Sequence, residues 1–395
     1  MPLLRVPYTY PLPLSKIIPH SASTASGAIA ALVDFLTAPS AAHLGHRDAR
    51  SYKTVLLTGA GISVASGLAD YRGTNGTYTL NRSYRPIYFN EFCENHEARK
   101  RYWARSFLGW TNLHRARPNA AHRSVKRLGE LGVVNQVITQ NVDSFHPIAH
   151  PQLPTIELHG YLRSLVCLTC RNEYSRDAFQ RQLSQLNPAW AAFLEDIIAT
   201  GALDTENPDD RRKKGLKTNP DGDVDILDAP YTTFRYPACP VCLQKPPMRP
   251  GGRPVEIEVD KDGAWTEASN GGILKPAVIM FGESIPGHIK TAAEQAIDGA
   301  SRMLVVGSSL ATYSAWRLVK RAKESGMPIG ILNLGGVRGE DTFFADVPPD
   351  NTGRIAVRCS ENVDKVLPQV VKTLEDSQSL SLEGYQREHD TCIGI

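Results

Sequence analysis

Four of the seven cysteines stand as two C-x-x-C pairs, "CLTC" at 167–170 and "CPVC" at 239–242. Two thiolates at that spacing can turn back on one ion, and four complete a tetrahedral shell with no open position. Cys167, Cys170, Cys239 and Cys242 therefore predict one structural zinc ion rather than a catalytic metal. The alternative is two independent buried or redox-active pairs, because Cys170 and Cys239 are separated by far more chain than in a usual zinc ribbon. An odd cysteine count argues against a disulfide framework.

A second polar group, "TQNVDSFH" at 139–146, follows an apolar run. It puts Thr139, Gln140, Asn141 and Asp143 at the carboxyl end of a predicted strand, where open α/β sheets bind ligands. Read alone, it is equally a polar turn with Asp143 capping a helix. "IELHG" at 156–160 ends another apolar segment on His159. Imidazole suits general base work near neutral pH, although a lone histidine is more often structural. The stretch "VLLTGAGISVASGLADYRG" at 55–73 runs from apolar residues into Gly59-Ala60-Gly61 and then a helix-like segment. It has the opening of a dinucleotide-binding loop, but Val64 stands where G-x-G-x-x-G needs its third glycine, and the next glycine is Gly67. "VGSSL" at 306–310 and "LNLG" at 332–335 end two further apolar runs. Gly, Ser, Asn, Gln and Asp at these strand ends suit hydrogen bonding to sugar hydroxyls and phosphates.

The elements that must position these groups alternate. Strands are predicted at 53–58, 133–139, 274–281, 302–306, 329–334 and 354–359, and helices at 27–37, 91–109, 119–131, 288–299 and 313–325. That alternation implies a doubly wound, mostly parallel sheet. It stops between 164 and 272, where both cysteine pairs and the loop-like stretches "DTENPDDRRKKGLKTNPDGD" and "KPPMRPGGRP" lie. The expected division is an N-terminal extension and helix over 1–50 and a discontinuous nucleotide-binding domain over 51–163 and 273–370. That domain carries a helical module at 78–118, a zinc module is inserted at 164–272, and a frayed tail follows at 371–395.

With 42% hydrophobic and 22% charged residues and a net charge of +3, composition fits a globular enzyme and predicts neither nucleic acid nor membrane as partner. No run of 18 apolar residues is present. The first 33 residues lack Asp and Glu and hold five prolines, a Ser/Thr cluster and one arginine, Arg5. This is read either as a mitochondrial presequence or as a loosely packed extension.

Taken in order over roughly 50–360, "TGAGISVASGLADYRG", "TQNVDSFH", "ELHG", the two C-x-x-C pairs, "FGE" at 281–283, "VGSSL" and "LNLG" resemble the sirtuin family of NAD-dependent protein deacylases. "RKRYWARSFLGW" at 99–110 and "LNPAW" at 186–190 resemble its class II, largely mitochondrial branch. The resemblance implies a Rossmann-like domain with zinc and helical modules, and NAD as a consumed co-substrate. Gly59, Ala60, Gly61, Ser63, Gly67, Asp70, Tyr71, Arg72, Gln140, Asn141, Asp143, Gly307, Ser308, Ser309, Asn333 and Cys359 are the implied cofactor contacts. His159 is the implied base, aided by Asn141 and Asp143. In the implied reaction the acyl oxygen of acyl-lysine attacks the nicotinamide ribose, nicotinamide leaves, and lysine and O-acyl-ADP-ribose are released.

Further expectations are a helix N-terminus after Gly61 facing the pyrophosphate, and a 70–80 loop that closes over the nicotinamide ribose. Tyr71 stands where most members carry Phe. An acylated peptide is expected as an added strand along Phe281–Glu283. The desuccinylase branch grips acidic acyl groups with a Y-x-x-R pair; "GTYTLNRSYR" offers Tyr78, Arg82, Tyr84 and Arg85 at another spacing, with Tyr78 and Arg82 candidates to reach the acyl channel. The basic run Arg211–Lys214 reads as a solvated loop. A monomer in the mitochondrial matrix is expected, with cytoplasm or nucleus as alternatives. Mono-ADP-ribosyl transfer, an NAD-sensing scaffold and a hydride-transferring dehydrogenase are the competing functions.

Overall fold

The computed structural model describes residues 3–39, 53–80, 84–201, 217–221, 223–226, 229–347 and 353–392, with side chains to 379 except those of 217 and 218. The strands in chain order are β1 Thr54–Thr58, β2 Val134–Thr139, β3 Thr155–Glu157, β4 Gly160–Cys167, β5 Glu173–Ser175, β6 Lys217–Thr218, β7 Val224–Asp225, β8 Leu274–Val278, β9 Arg302–Val306, β10 Ile329–Leu332 and β11 Ala356–Cys359. Six of them form one sheet in the order β11-β10-β9-β1-β2-β3, with every pair parallel. The chain works outward from β1 to β3, then restarts beside β1 with β9 and works outward the other way. The crevice beyond the carboxyl ends of β1 and β9 is thus a topological switch point, where such sheets bind ligands.

β1, β9, β10 and β11 are buried at every residue, as parallel strands covered on both faces must be. Alternate side chains feed opposite cores. Val55, Leu57, Met303 and Val305 pack with the helices Gly287–Asp298 and Tyr313–Glu324. Leu56, Leu304 and Val306 pack with the helices Ala25–Thr37, Ala120–Glu130 and Val363–Cys392. A third core joins the helix His96–Arg115, through Trp103 and Phe107, to Phe179, Phe234, Tyr236 and the cysteine region.

Three expectations change. The stretch 274–281 is a strand only over Leu274–Val278 and stands outside the parallel sheet, antiparallel to β4. β4 carries the chain out to the insertion and β8 brings it back, so the two run in opposite senses. The N-terminal extension is not loose: Leu3, Ile18 and Ala22 are buried, and Ile18 bridges Arg358 at the edge of β11. Residues from 371 do not begin a tail, because they continue the helix Val363–Cys392. Val363, Val366, Leu367, Val370, Val371 and Leu374 line its buried stripe at helical spacing.

Candidate active site

The sheet's switch point opens into a cleft of about 1020 Å³. Its lining brings together Gly59, Ala60, Gly61, Ser63, Asp70, Tyr71, Arg72, Gln140, Asn141, Asp143, His159, Gly307, Ser308, Ser309 and Asn333. Two predicted contacts lie outside this lining. Gly67 instead ends the short helix Ala60–Ser66 with a left-handed backbone, φ 81°. Cys359 is fully buried in the core that the sheet shares with the helices Ala25–Thr37 and Val363–Cys392, its thiol toward the Ala28 carbonyl at 4.0 Å. The expected helix after Gly61 is also cut down. Ala60–Ser66 is a seven-residue 3-10 segment, too short to develop much axial dipole.

Glycine is required at the cleft floor for a reason that a ligand alone does not supply. A Cβ on Gly61 would stand 2.9 Å from the Gly307 backbone, and one on Gly307 (φ 62°) would stand 2.5 Å from the Ile62 nitrogen. The loops after β1 and β9 therefore touch backbone to backbone, and Gly61 N donates to Gly307 O at 2.9 Å.

Neutral side chains stitch the floor together. Gln140 donates through Nε2 to Ser308 Oγ at 2.7 Å and accepts from Thr312 Oγ1 at 2.9 Å. Asn141 Nδ2 donates to Gly59 O and to Ser63 Oγ, each at 3.1 Å. Ser63 Oγ donates to Asp143 Oδ2 at 2.7 Å, and Phe145 N donates to Asp143 Oδ1 at 2.9 Å. Burial raises the Asp143 pKa, and these donors act against that shift. Asn333 at the end of β10 is held from behind by a fully buried ion pair. Arg358 Nε meets Glu340 Oε1 at 2.7 Å, and Arg358 also donates to the carbonyls of Asn333 and Gly335.

His159 is 1% exposed. Nδ1 lies 3.0 Å from the Gln140 carbonyl, which can only accept, so Nδ1 carries the proton. The lone pair is then on Nε2, which accepts from Ser314 Oγ at 2.7 Å. Burial holds the pKa well below 6.5, helped by the charge of Arg5 and opposed by the Gln140 carbonyl. The imidazole is thus a neutral, oriented base at the edge of a polar cleft.

The four predicted cysteines converge. Their sulfurs all lie within 4.8 Å of one another, with Cys167–Cys242 at 3.6 Å and Cys170–Cys239 at 3.7 Å. A tetrahedron with Zn–S bonds of about 2.3 Å has edges of about 3.8 Å, so the quartet fits one zinc ion. The Cys239 thiol and the backbone amides of Cys170 and Thr169 lower the Cys167 pKa, against the opposing effect of burial.

Several cleft residues had no motif to announce them. Arg5, Pro7 and Leu12 arrive from the N-terminal extension, and Pro220 and Asp221 from the charged stretch at 204–223 within the 164–272 insertion. Asp221 explains Tyr71: its Oδ1 accepts from the Tyr71 hydroxyl at 2.7 Å and pairs with Arg5 at 3.2 Å. A Phe at 71 would leave that contact unmade. Tyr78 lines the cleft and stacks on Tyr71, while Arg82 and the run Arg211–Lys214 lie outside the described residues. A second cavity of about 500 Å³ adjoins through Arg5, Asp221 and Phe281 and is also lined by Tyr84, Tyr102 and Arg105. Tyr102 and Arg105 stand at Y-x-x-R spacing on one helix, a signal present in the sequence but overlooked. Arg105 is already paired with Asp223 at 2.8 Å.

The Sir2 family profile matches residues 59–314. The chain belongs to the Sir2 family, the sirtuins. Its relatives include the NAD-dependent protein deacylase SIR4 of Batrachochytrium dendrobatidis, 40% identical over 73% of this chain and 83% of that protein. The NAD-dependent protein deacylase SRT2 of Arabidopsis thaliana is 36% identical over 74% and 68%. The NAD-dependent protein deacetylase of Bordetella bronchiseptica is 35% identical over 81% and 93%. A solved Sir2 structure with a deacetylated p53 peptide and 3'-O-acetyl-ADP-ribose shares the fold, at a TM-score of 0.54 and 23% identity over 87% of this chain and 96% of that one.

Proposed function

We propose that this sirtuin is an NAD-dependent protein lysine deacylase that releases nicotinamide and O-acyl-ADP-ribose. The observation that carries this is His159: a buried, neutral imidazole with its basic nitrogen defined, set beside a cleft of amides, hydroxyls and one carboxylate. Such a base suits removal of a hydroxyl proton from the co-substrate ribose. The polar groups of the lining suit NAD, with Gly59–Gly61 and Gly307–Ser309 on the two strand ends and Asn333 at the far side. When bound, NAD supplies the ribose that receives the acyl group.

This chain's residues then have separate tasks. Gln140, locked to Ser308 and Thr312, fixes the loop that carries Asn141 and Asp143. Asn141 and Asp143 present an amide and a carboxylate to the co-substrate. His159 takes the proton on Nε2 when the Ser314 hydroxyl turns its own hydrogen away and accepts instead, and the Gln140 carbonyl keeps the ring oriented. Tyr71 and Arg72 cover the cleft and exclude water. The cysteine quartet holds one structural zinc ion and stabilises the insertion.

Incubation with acyl-lysine peptides and NAD, read by mass spectrometry, tests the reading. O-acyl-ADP-ribose is expected; ADP-ribosylated protein without it would support mono-ADP-ribosyl transfer instead. The class II motifs support the mitochondrial matrix as the compartment, and a cytoplasmic or nuclear pool on fractionation would overturn that. We propose that the protein is a monomer, which light scattering tests.

A further inference from the structure

The edge expected to pair with an acylated peptide is already paired with the chain's own N-terminal segment. Gly282 N donates to Arg5 O at 3.0 Å and Ile285 N to Leu3 O at 3.1 Å. On the opposite side, Tyr313 N donates to Val6 O at 3.0 Å and Tyr8 N to Ala311 O at 2.7 Å. Antiparallel bridges join Leu4 to Ser284 and Pro7 to Thr312. Residues 3 and 5 thus serve one edge and residues 6 and 8 the other, which is how an extended segment fits between two strands.

Side chains alternate as well. Leu3 and Arg5 point inward, at 1% and 4% exposure, while Val6 is 38% exposed. Arg5 crosses the Phe281 ring at 4.5 Å and donates to the Ile279 carbonyl at 3.0 Å. Its other nitrogen donates to the Tyr71 hydroxyl at 3.1 Å and to Asp221 at 3.2 Å. The side chain stands in both cavities, and its charge is felt at His159. An arginine is a long aliphatic stem ending in a planar N–C–N group, close in shape to the amide of an acyl-lysine. It has no acyl oxygen to attack a ribose carbon, so it can fill the channel without reacting.

We propose that Leu3–Tyr8 is a pseudosubstrate, bound in the peptide groove with Arg5 where an acyl-lysine is read. It displays the register that the groove selects: a large apolar residue two positions before the acyl-lysine and a proline two positions after it. This rests on the deacylase reading above. A tethered segment competes at an effective concentration set by its linker, so it raises the apparent KM for peptide and leaves kcat alone.

The test compares the full-length chain with Leu3→Asp/Arg5→Ala and, in case the change at Leu3 disturbs folding, with Arg5→Ala alone. Two probes are used: a fluorescein-labelled peptide LLRVPYTYPL, and the same peptide with acetyl-lysine in place of Arg5. Release of the segment should lower KM for an acyl-peptide about tenfold, tighten labelled-peptide binding by about the same factor, and make the acetyl-lysine peptide a substrate. Equal KM and equal peptide binding in all three proteins would overturn the pseudosubstrate while leaving deacylation intact. Anisotropy needs no chemistry: selective binding by the variants without any deacylation would uphold the occupied groove and overturn the deacylase reading.

Discussion

The two walls of the cleft are built differently. The floor, made by the strand ends of β1, β2 and β9, is held by backbone contacts between glycines and by neutral amides and hydroxyls. The parts of the roof, the N-terminal segment, the 70–80 loop and the insertion, meet one another through side chains: Arg5 with Asp221, Tyr71 with Asp221, and Arg72 with the Tyr8 carbonyl at 2.5 Å, while backbone hydrogen bonds pair the N-terminal segment with the strands on either side of it. Backbone packing admits one arrangement, whereas ionic and hydroxyl contacts can be exchanged for others. The difference assigns chemistry to the floor and access to the roof.

The largest effect should come from the floor. His159→Ala is expected to lower kcat by about 10²–10⁴-fold while NAD binding, measured by calorimetry, stays within a few-fold. Retained turnover would remove the base from this wall. Glu340→Gln should cost about 3–5 kcal/mol in denaturant unfolding, because Arg358 would keep its charge in a site with no exposure. A loss under 1 kcal/mol would mean that the floor is not braced by that pair.

Acid should loosen the floor next, through a buried histidine cluster: His146 lies 2.8 Å from both Thr58 Oγ1 at the end of β1 and His150 Nε2, with the His122 ring 5.1 Å away. Burial lowers the pKa of His122 to about 3 and lowers those of His146 and His150 from 6.5. Their folded pKa values lie below the unfolded value, so the unfolded chain binds more protons below pH 6.5. Stability should therefore fall as pH drops below 6.5, for His122 down to about 3 and at up to about 1.4 kcal/mol per pH unit. Urea midpoints at pH 7, 6 and 5 check this, and a flat profile would contradict the neutral cluster. The smallest change belongs to the roof. Tyr71→Phe removes one buried hydroxyl and should cost about 1 kcal/mol or less, since Asp221 keeps Arg5. Its effect should fall on KM rather than kcat.

This contrast also explains what could be read in advance. The floor was legible because each of its parts is local: a buried run, then Gly59-Ala60-Gly61, Gln140-Asn141 or Gly307-Ser308 at its end. The cysteine quartet was legible because each pair carries its own spacing. The roof depends on partners brought together from afar, such as Arg5 with Asp221, and no pattern at either position announces the other. Ser314 was missed for the same reason, as was the burial of Leu3. The helical stripe through Val371 and Leu374 was present in the sequence, but the polar residues after it obscured it. Cys359 shows the opposite error: its strand end was right, but its thiol points to the core.

Where Gly61 meets Gly307, neither partner has a side chain that could rotate to absorb a displacement. The ends of β1 and β9 must therefore travel as one rigid block. Any hinge that opens the cleft for product release belongs on the opposite side, in the strap of residues 3–8 and the loop that carries Tyr71.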